Sequence, residues 1–332
     1  MRRFQHMSLL GVASILNSAA NNLFRWNSTV LLTIALLFDI APSFAAEQES
    51  ALARIEPSTV AARGNQSVIL TLKSFGRYAI TVSSSQGVAL QPLDRMAGTG
   101  AVVGEVGKQD GRLDLFLDRG EYKILTHASA KGSGQAKLIA HAFRELHEHP
   151  PMLIEQRLER ASLNDFEQRS YWLEIKEKRV VALEAAGRNL ADLRLWRDGT
   201  WLVNVSPQLT TNQARADHPL LIARLTAELE PGLYLVTAYG GLGQPWTEAS
   251  DDKPFFLRFG IPTLGPAMRQ QFTMSEFGVE RFLVPAGPNY FRLELPVANT
   301  ASLQVDTYNE RNPFQAQGAS ANIDKRSLPP VA

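Results

Sequence analysis

An internal repeat is the feature that most limits what this chain can fold into. The stretch LDLFLDRGEYKIL begins at Leu113, and LTAELEPGLYLVT begins 112 residues later at Leu225. Upstream, VILTLKSFGRYAITV (68–82) aligns with YWLEIKEKRVVALEA (171–185) at an offset of 103 residues, so the second copy has nine more residues between the two blocks. The repeat predicts a tandem array of one supersecondary unit, with the extra residues in the polar stretch 206–219.

A third, incomplete copy begins near Glu280. RFLVPAGPNYFRLELPVANTASLQVDTY (281–308) aligns with the second copy at an offset of 110 residues and stops before any GxY block. The aligned apolar pairs are Leu183 and Leu293, Leu193 and Leu303, and Leu195 and Val305. Two interpretations are open: a third domain is truncated in this chain and the natural protein is longer, or the segment adds strands to the second domain.

Every copy has the pattern of antiparallel β-structure. Short alternating runs rich in β-branched and aromatic residues are separated by Gly, Asp-Gly or Pro-Gly, which predicts an all-β fold of tandem antiparallel β-sandwich domains. In GEYKI and GLYLV, the tyrosine ring is expected to pack while its hydroxyl reaches a backbone acceptor. Outside the N-terminal segment, only residues 141–161 could be helical, and Pro150-Pro151 interrupts them.

The stretch LRLWRDGTWLV (193–203) predicts a β-hairpin with a type I′ turn at Asp198-Gly199. Trp196 then faces Trp201, on the side of the strand opposite the leucines. Three roles are open for the pair: a cross-strand clasp with Arg194, a surface covered by a neighbouring domain, or an exposed platform that binds a sugar ring or an extended polypeptide. The clasp is favoured, because aromatic pairs in strands are more often structural than binding.

The order YWLEI, RVVALEAAG, ADLRLWRDGTWL, LTAELEPGLYLVTAYG, PFFLRF (171–259) resembles the bacterial pre-peptidase C-terminal (PPC-like) domain. The residues that match its hairpin and following strand are Leu193, Leu195, Asp198, Gly199, Pro231, Gly232 and Tyr234. The copy at 64–143 fits loosely, because PLDRMAGTG (92–100) replaces the Asp-Gly hairpin. The resemblance implies jelly-roll-like sandwiches that serve as accessory modules binding substrate or cell-surface material, in some relatives with calcium.

The first 45 residues resemble an export signal. Arginines precede the apolar run 30–38, and Ser43 and Ala45 are small residues at −3 and −1 of a cut before Ala46. Because that run is too short to cross a bilayer comfortably, we predict cleavage after Ala45, no membrane span in the mature chain, and a periplasmic or secreted location. An uncleaved anchor is the alternative.

Charge and cysteine content exclude several classes of function. Removing the predicted signal takes away three arginines and one aspartate, so the formal net charge falls from +1 to −1. No basic footprint for nucleic acid remains. The chain has no cysteine, which excludes disulfides, thiol chemistry and cysteine-based zinc sites.

The sequence lacks the motifs of exported hydrolases. There is no G-x-S-x-G nucleophile elbow and no H-E-x-x-H metal motif, so we predict a protein that is not an enzyme, with no catalytic residue and no cofactor. Weak metal candidates are His147 with His149, which would share one strand face, and Asp114 with Asp118 in the series that starts at Asp110. A solvated linker and an ordinary strand face are the favoured interpretations of these two groups.

These inferences give one functional hypothesis and two alternatives. We expect an exported, non-catalytic β-sandwich protein that binds a partner protein or an envelope glycan, with Trp196, Trp201 and Arg194 as candidate ligand-binding residues. The alternatives are the accessory region of a secreted hydrolase whose catalytic domain lies outside this chain, and a calcium- or metal-binding envelope module. The predicted segments are a signal peptide (1–45), a linker (46–63), a first sandwich (64–143), a linker (144–164), a second sandwich (165–262), a partial third repeat or added strands (276–311) and a flexible tail (312–332).

Overall fold

The computed structural model describes residues 57–94, 96–202, 208–211, 217–262, 281–283, 304–305, 308–309, 312–316 and 321–322. They all belong to one compact unit that spans Leu52–Ala332. Within these ranges every regular element is a β-strand, so the predicted all-β class is confirmed. A search of the same residues for a helix long and apolar enough to cross a membrane finds none.

The first sandwich is formed by eight strands in two antiparallel sheets. One sheet has the strand order β1-β8-β3-β6 and the other β2-β7-β4-β5. The strands are β1 (Ser58–Ala61), β2 (Asn65–Leu72), β3 (Gly76–Ser83), β4 (Ala89–Asp94), β5 (Gly98–Thr99), β6 (Arg112–Leu117), β7 (Gly120–His127) and β8 (Gln135–Ala142). On β2, Val68, Leu70 and Leu72 are buried while their neighbours are exposed, because alternate side chains of a strand point to opposite faces.

The second sandwich has two five-stranded sheets, ordered β10-β18-β12-β16-β15 and β14-β13-β17-β11-β9. Its strands are β9 (Arg144–Glu145), β10 (Leu158–Ser162), β11 (Glu167–Ile175), β12 (Arg179–Gly187), β13 (Leu190–Arg197), β14 (Thr200–Trp201), β15 (Gln208–Thr211), β16 (Leu221–Leu229), β17 (Gly232–Gly240) and β18 (Pro254–Phe259). Each sandwich has its own apolar core between its two sheets.

The two sandwiches share one topology and one register. If β10 to β14 replace β1 to β5, and β16 to β18 replace β6 to β8, the strand orders of the two sandwiches agree. The matching cross-strand pairs are Ile80 with Leu113 and Leu183 with Leu225, and Leu70 with Tyr122 and Leu173 with Tyr234. Eight strands in this order form a jelly roll, so the predicted repeat and the jelly-roll-like fold are both confirmed.

The additional residues of the second copy include β15, which pairs with β16 at the edge of its sheet. This strand lies inside the stretch 206–219 where the insertion was predicted, and the described part of the first sandwich has no counterpart to it. The insertion therefore widens one sheet without changing the order of the others.

Of the two GxY tyrosines, Tyr234 forms the expected contact with a backbone acceptor, and Tyr122 contacts a backbone donor. The Tyr234 hydroxyl donates to the carbonyl oxygen of Glu230 at 2.8 Å. In the first copy the Tyr122 hydroxyl instead accepts from the backbone N–H of Asp118 at 3.0 Å. Both rings thus pack beside a turn four residues upstream, which holds the turn against the strand.

The helix considered over residues 141–161 does not form. The segment contains β9, which pairs in parallel with β11, and the start of β10. These strands belong to sheets of the second sandwich although they lie within the predicted linker, and β1 likewise lies within the predicted N-terminal linker. Pairing with preformed sheet edges satisfies the backbone groups of this stretch, which an interrupted helix could not do.

Beyond the second sandwich, the described residues form two small antiparallel pairs. β19 (Gln304–Val305) pairs with β22 (Ala321–Asn322), and β20 (Tyr308–Asn309) pairs with β21 (Asn312–Ala316). Residues 281–283 are also described, whereas the rest of the predicted third repeat and tail lies outside the described residues, as does the predicted signal peptide.

Candidate functional site

The predicted hairpin forms as expected. Asp198 and Gly199 have φ of 51° and 75°, the positive values that a type I′ turn requires. Trp196 pairs with Trp201 across the hairpin, and their ring centroids are 5.5 Å apart in an edge-on arrangement. The two rings lie on the outer face of their sheet, opposite the buried leucines of β13.

The first sandwich covers this tryptophan pair. Phe116 of β6 lies edge-on to both rings, with centroid distances of 5.6 Å to Trp196 and 4.8 Å to Trp201. Phe75 lies 5.9 Å from Trp196, whose exposed fraction is 8%. The interpretation of Trp196 as part of an exposed platform is therefore wrong: a neighbouring domain covers it, and the pair also forms the predicted clasp.

The covering contact is part of a larger surface where two outer sheet faces meet, which we call the joint. The face of β1-β8-β3-β6 meets the face of β14-β13-β17-β11-β9. The residues that touch across it are Phe75, Arg77, Arg112, Phe116, His141 and Phe143 of the first sandwich, and Asp165, Phe166, Asp192, Arg194, Trp196, Trp201 and Tyr239 of the second.

A buried arginine lies at the centre of the joint. Arg77 of β3 has an exposed fraction of 7%, and its Nη1 donates to Oδ2 of Asp192 at 2.8 Å. Its guanidinium carbon lies 4.9 to 5.3 Å from the ring centroids of Tyr239, Phe143 and Phe116. Rings from both sandwiches thus replace the water that the cation loses, and the carboxylate balances its charge.

Asp192 joins Arg194, the predicted partner of the tryptophan pair, to Arg77. Its Oδ2 also accepts from Nε of Arg194 at 2.8 Å. The Arg194 guanidinium lies 5.4 Å from the ring of Trp201, so the predicted closeness of Arg194 to the pair is confirmed. The charge of Arg194 is held by a carboxylate in the joint, and this residue contributes to domain packing.

Burial raises the pKa of the Tyr239 hydroxyl well above its ordinary value. The cation of Arg77 opposes this shift, and the carboxylate of Asp192 adds to it. Tyr239 therefore stays neutral at any physiological pH. Its neutral ring lies beside the Arg77 guanidinium, and the hydroxyl adds no further anion to the carboxylates of the joint.

A second cross-domain ion pair lies beside the first. Arg112 of β6 donates from Nη1 and Nη2 to the two carboxylate oxygens of Asp165 at 2.6 and 2.8 Å, and its guanidinium lies 4.9 Å from the ring of Phe166. Burial lowers the pKa of Arg112, but the hydrogen bonds and charges of Asp165 and Asp114 outweigh this and raise it above its ordinary value. The pairing is bidentate, which fixes orientation as well as distance.

The histidine candidate for metal binding is engaged elsewhere. His147 Nδ1 donates to the carbonyl oxygen of Ser170 at 2.9 Å, so Nε2 accepts from Nη1 of Arg169 at 3.0 Å. His149 is exposed. Both ring nitrogens of His147 therefore have hydrogen-bond partners. The interpretation of this residue as part of a solvated linker is wrong, because β9 pairs with the edge of β11 and the residues after β9 lie against the second sandwich.

A serine beside His147 and Glu145 was missed from the sequence. The Ser170 hydroxyl donates to Oε2 of Glu145, and it lies 3.0 Å from the hydroxyl of Thr237. Glu145 Oε1 also accepts from the backbone N–H of Ser170 at 3.1 Å. Ser170 is 3% exposed and bonds to the carboxylate and not to the imidazole, so this trio lacks the serine-to-histidine contact that activates a nucleophile.

The acidic candidates do not converge. Asp114 pairs with Arg112 at 3.1 Å, while Asp110 accepts from the backbone N–H of Ser84 at 2.7 Å and that of Val88 at 2.9 Å. Across the described ranges, no three His, Cys, Asp or Glu side chains are arranged to hold a metal ion. The metal candidates His147, His149, Asp114 and Asp118 are therefore not brought together.

An exposed apolar loop of the first sandwich was also missed. Met96, between β4 and β5, is exposed by 96%, and Val102 and Val106, between β5 and β6, are exposed by 52% and 43%. Its backbone is nevertheless fixed, because Leu90 and Val103 exchange two backbone hydrogen bonds of 2.8 Å. The signal in the sequence is PLDRMAGTGAVVGEVG (92–107), where apolar residues replace the Asp-Gly hairpin of the second copy.

Two glycines make the close path of this loop possible. A Cβ at Gly111 would lie 2.3 Å from the carbonyl oxygen of Val103, and one at Gly104 would lie 2.7 Å from Gly111. Gly104 also has a φ of 93°, a value that side chains disfavour. The loop we call the apolar loop (96–106) is thus presented on a rigid backbone.

We expect Arg77→Ala to lower the free energy of unfolding by about 3–5 kcal/mol, because it leaves Asp192 in a buried site without its cross-domain partner. Urea denaturation would measure the loss. Combined with Asp192→Asn, the two losses should be less than additive by about 0.5–3 kcal/mol.

A matched control for this prediction is Arg179→Ala. Arg179 also pairs with a carboxylate, Glu155 at 2.6 Å, and lies 5.7 Å from the Phe259 ring, but both partners of the ion pair are about 40% exposed. We expect it to cost under about 1 kcal/mol. Equal losses for the two arginines would contradict the central role of Arg77.

We expect Glu167→Gln to flatten the loss of stability in acid. Burial favours the protonated form of Glu167, but hydrogen bonds from Asn164 and the ion pair with Arg144 outweigh it and lower its pKa below 4.5. A lowered pKa stabilises the fold above about pH 4.5, and this contribution is lost as pH falls through the folded-state value. Urea midpoints between about pH 7 and pH 3 would measure it.

Glu121→Gln, on an exposed position of β7, is the control for this pH series. It should follow the parent curve. A Glu167→Gln curve with the parent slope, or an equal flattening in Glu121→Gln, would show that the acid sensitivity arises elsewhere.

No protein-family model matches this chain, and no curated protein is significantly similar to it. The resemblance of residues 171–259 to the PPC-like domain therefore stays a prediction. Three features of the chain's own residues bear on function: the joint, the hydrogen-bonded polar cluster of Glu145, His147 and Ser170, and the apolar loop.

Proposed function

We propose that this protein is exported and acts by contact, as a non-catalytic binding or structural module for a partner in the cell envelope. The observation that carries the proposal is that the charged, hydroxyl and imidazole side chains of its polar clusters bind one another within the fold. Arg77, Arg112 and Asp192 hold the two sandwiches together, and Glu145, Ser170 and His147 hold the connecting strand on the second sandwich. Groups engaged in this way stabilise one arrangement of the fold.

The apolar loop is the surface we propose for the partner. Its exposed side chains are aliphatic or thioether groups, and the surrounding backbone is already ordered. Binding through a preformed loop avoids most of the entropy cost of ordering a flexible segment. Contiguous exposed apolar surface is a frequent property of protein interaction sites.

A polypeptide partner is favoured over a glycan. Sugar rings commonly stack on exposed aromatic faces, and Trp196 is covered by Phe116 and Phe75 of the first sandwich. The apolar loop offers Met96, Val102 and Val106 instead. The proposal fits the accessory-module role that the PPC-like resemblance implies.

Export gives the first test. In a bacterial host, we expect the chain to appear in the periplasm or the medium with Ala46 as its first residue, because the small residues before it match a signal-peptidase site. Fractionation with N-terminal sequencing would measure this. An intact N terminus in the membrane fraction would establish the anchored alternative, and an intact chain in the cytoplasm would overturn export.

Binding gives the second test. The purified protein would be applied to an array of envelope glycans and purified envelope polypeptides, beside the double variant Met96→Ser/Val102→Ser. We expect binding to a polypeptide that falls roughly tenfold or more in the variant, since a few buried apolar side chains dominate most interfaces.

The control variant is Leu242→Ser, which removes an apolar side chain that is 70% exposed in the second sandwich. Its affinity should equal that of the parent. Binding that both variants retain would reject the apolar loop, glycan binding would reject the choice of partner class, and hydrolysis of any array component would overturn a non-catalytic role.

A further inference from the structure

The second sandwich carries a buried carboxylate on an outer sheet face. Glu184 lies in the middle of β12, beside Arg224 of β16 and Arg258 of β18 in the strand register. Its Oε1 accepts from Nε of Arg224 at 2.7 Å, and its Oε2 accepts from Nη2 of Arg258 at 2.9 Å. The Glu184 side chain is 4% exposed, although it points away from the apolar core. Something must therefore lie over this face.

The cover comes from the C-terminal part of the chain. Arg281 Nη1 lies 3.2 Å from Glu184 Oε1, and the ring of Phe314 in β21 lies 6.0 Å from the guanidinium of Arg224 and 5.7 Å from that of Arg281. The backbone N–H of Leu283 donates to the carbonyl oxygen of Pro262 at 2.8 Å. The segment is thus held at its start by backbone and at β21 by a ring.

The segment lies on the face of the sheet and does not extend its edge. β20 pairs with β21, and β19 pairs with β22, and in the described part of the chain neither pair includes a strand of the second sandwich. This arrangement favours a separate unit over strands added to the second sandwich.

The covered face is the repeat equivalent of the face that forms the joint. In the first sandwich, Thr81 pairs with Arg112; in the second, Glu184 pairs with Arg224 at the equivalent position. Arg112 lies against the Phe166 ring of the unit that follows. Arg224 occupies the same place and lies against Phe314, again from the segment that follows.

We propose that Arg281 and the β20–β21 pair belong to a third unit, which docks on the second sandwich through the same sheet and the same arginine position by which the first sandwich holds the second. The chain is then a head-to-tail array, in which each unit presents one sheet to the unit that follows it. Such contacts between unlike faces give the array a direction, because each unit contacts its two neighbours through different surfaces.

The two contacts differ in the placement of charge. At the joint the first sandwich supplies the cations Arg77 and Arg112, and the following unit supplies the acids. At the second contact the sheet supplies Glu184 together with Arg224 and Arg258, and the following unit adds the cation Arg281.

Hydrogen exchange on the full chain tests the proposal. We expect Arg224→Gln to speed amide exchange over residues 308–316 roughly five- to tenfold, because it removes the guanidinium under Phe314. Arg112→Gln is the matched control: it should speed exchange near Phe166 and leave residues 308–316 unchanged. Phe314→Ala gives an independent variant that changes the docked segment and no residue of the second sandwich.

The outcomes separate docking from a general loss of stability. Faster exchange over 308–316 in both Arg224→Gln and Phe314→Ala, with β12 and β18 protected, supports the proposal. Unchanged exchange over 308–316 in Phe314→Ala overturns it, even if Arg224→Gln loosens the second sandwich. An Arg112→Gln effect on residues 308–316 also overturns it, because the two contacts would then not be separate.

Discussion

The arrangement of the two sandwiches depends on one buried cation. Arg77 has lost its water, and three rings and one carboxylate replace it, with the rings of Tyr239 and Phe143 coming from different sandwiches. A buried guanidinium is costly unless all of these partners are in place. Few relative positions of the two sheets satisfy that condition, so the pair selects one orientation even if its net contribution to stability is small.

The residues on the outer face of β13 and β17 resemble a ligand-binding surface, but this face packs against the first sandwich. Trp196 and Arg194 are typical of ligand sites, and each is used in contact with the first sandwich. The apolar loop of the first sandwich, by contrast, keeps Met96, Val102 and Val106 exposed. Because the aromatic residues of the joint are used between the units, we place the partner site at this loop.

Local and repeated features could be predicted from the sequence, and contacts between the units could not. Asp198-Gly199 forms its turn because these two residues favour positive φ. The repeat predicts that Leu183 lies opposite Leu225, because similar sequences form strands that pair in the same register. Arg77 and Asp192 are 115 residues apart, and no periodicity links them. The surroundings of His147 could not be predicted for a related reason. The stretch around it is short and polar like a linker, and it is ordered because β9 pairs with the edge of β11.

The connection between the sandwiches has a mechanical consequence. β8 ends at Ala142 and β9 begins at Arg144, so the chain passes from one sandwich to the edge of the other with no slack. The N–H groups of Arg144 and Leu146 donate to β11 and its flank at 2.8 and 2.9 Å, in a parallel pairing. A pulling force along the chain would load these bonds and the Arg77 ion pair together, so the two sandwiches would resist separation as a single elastic element.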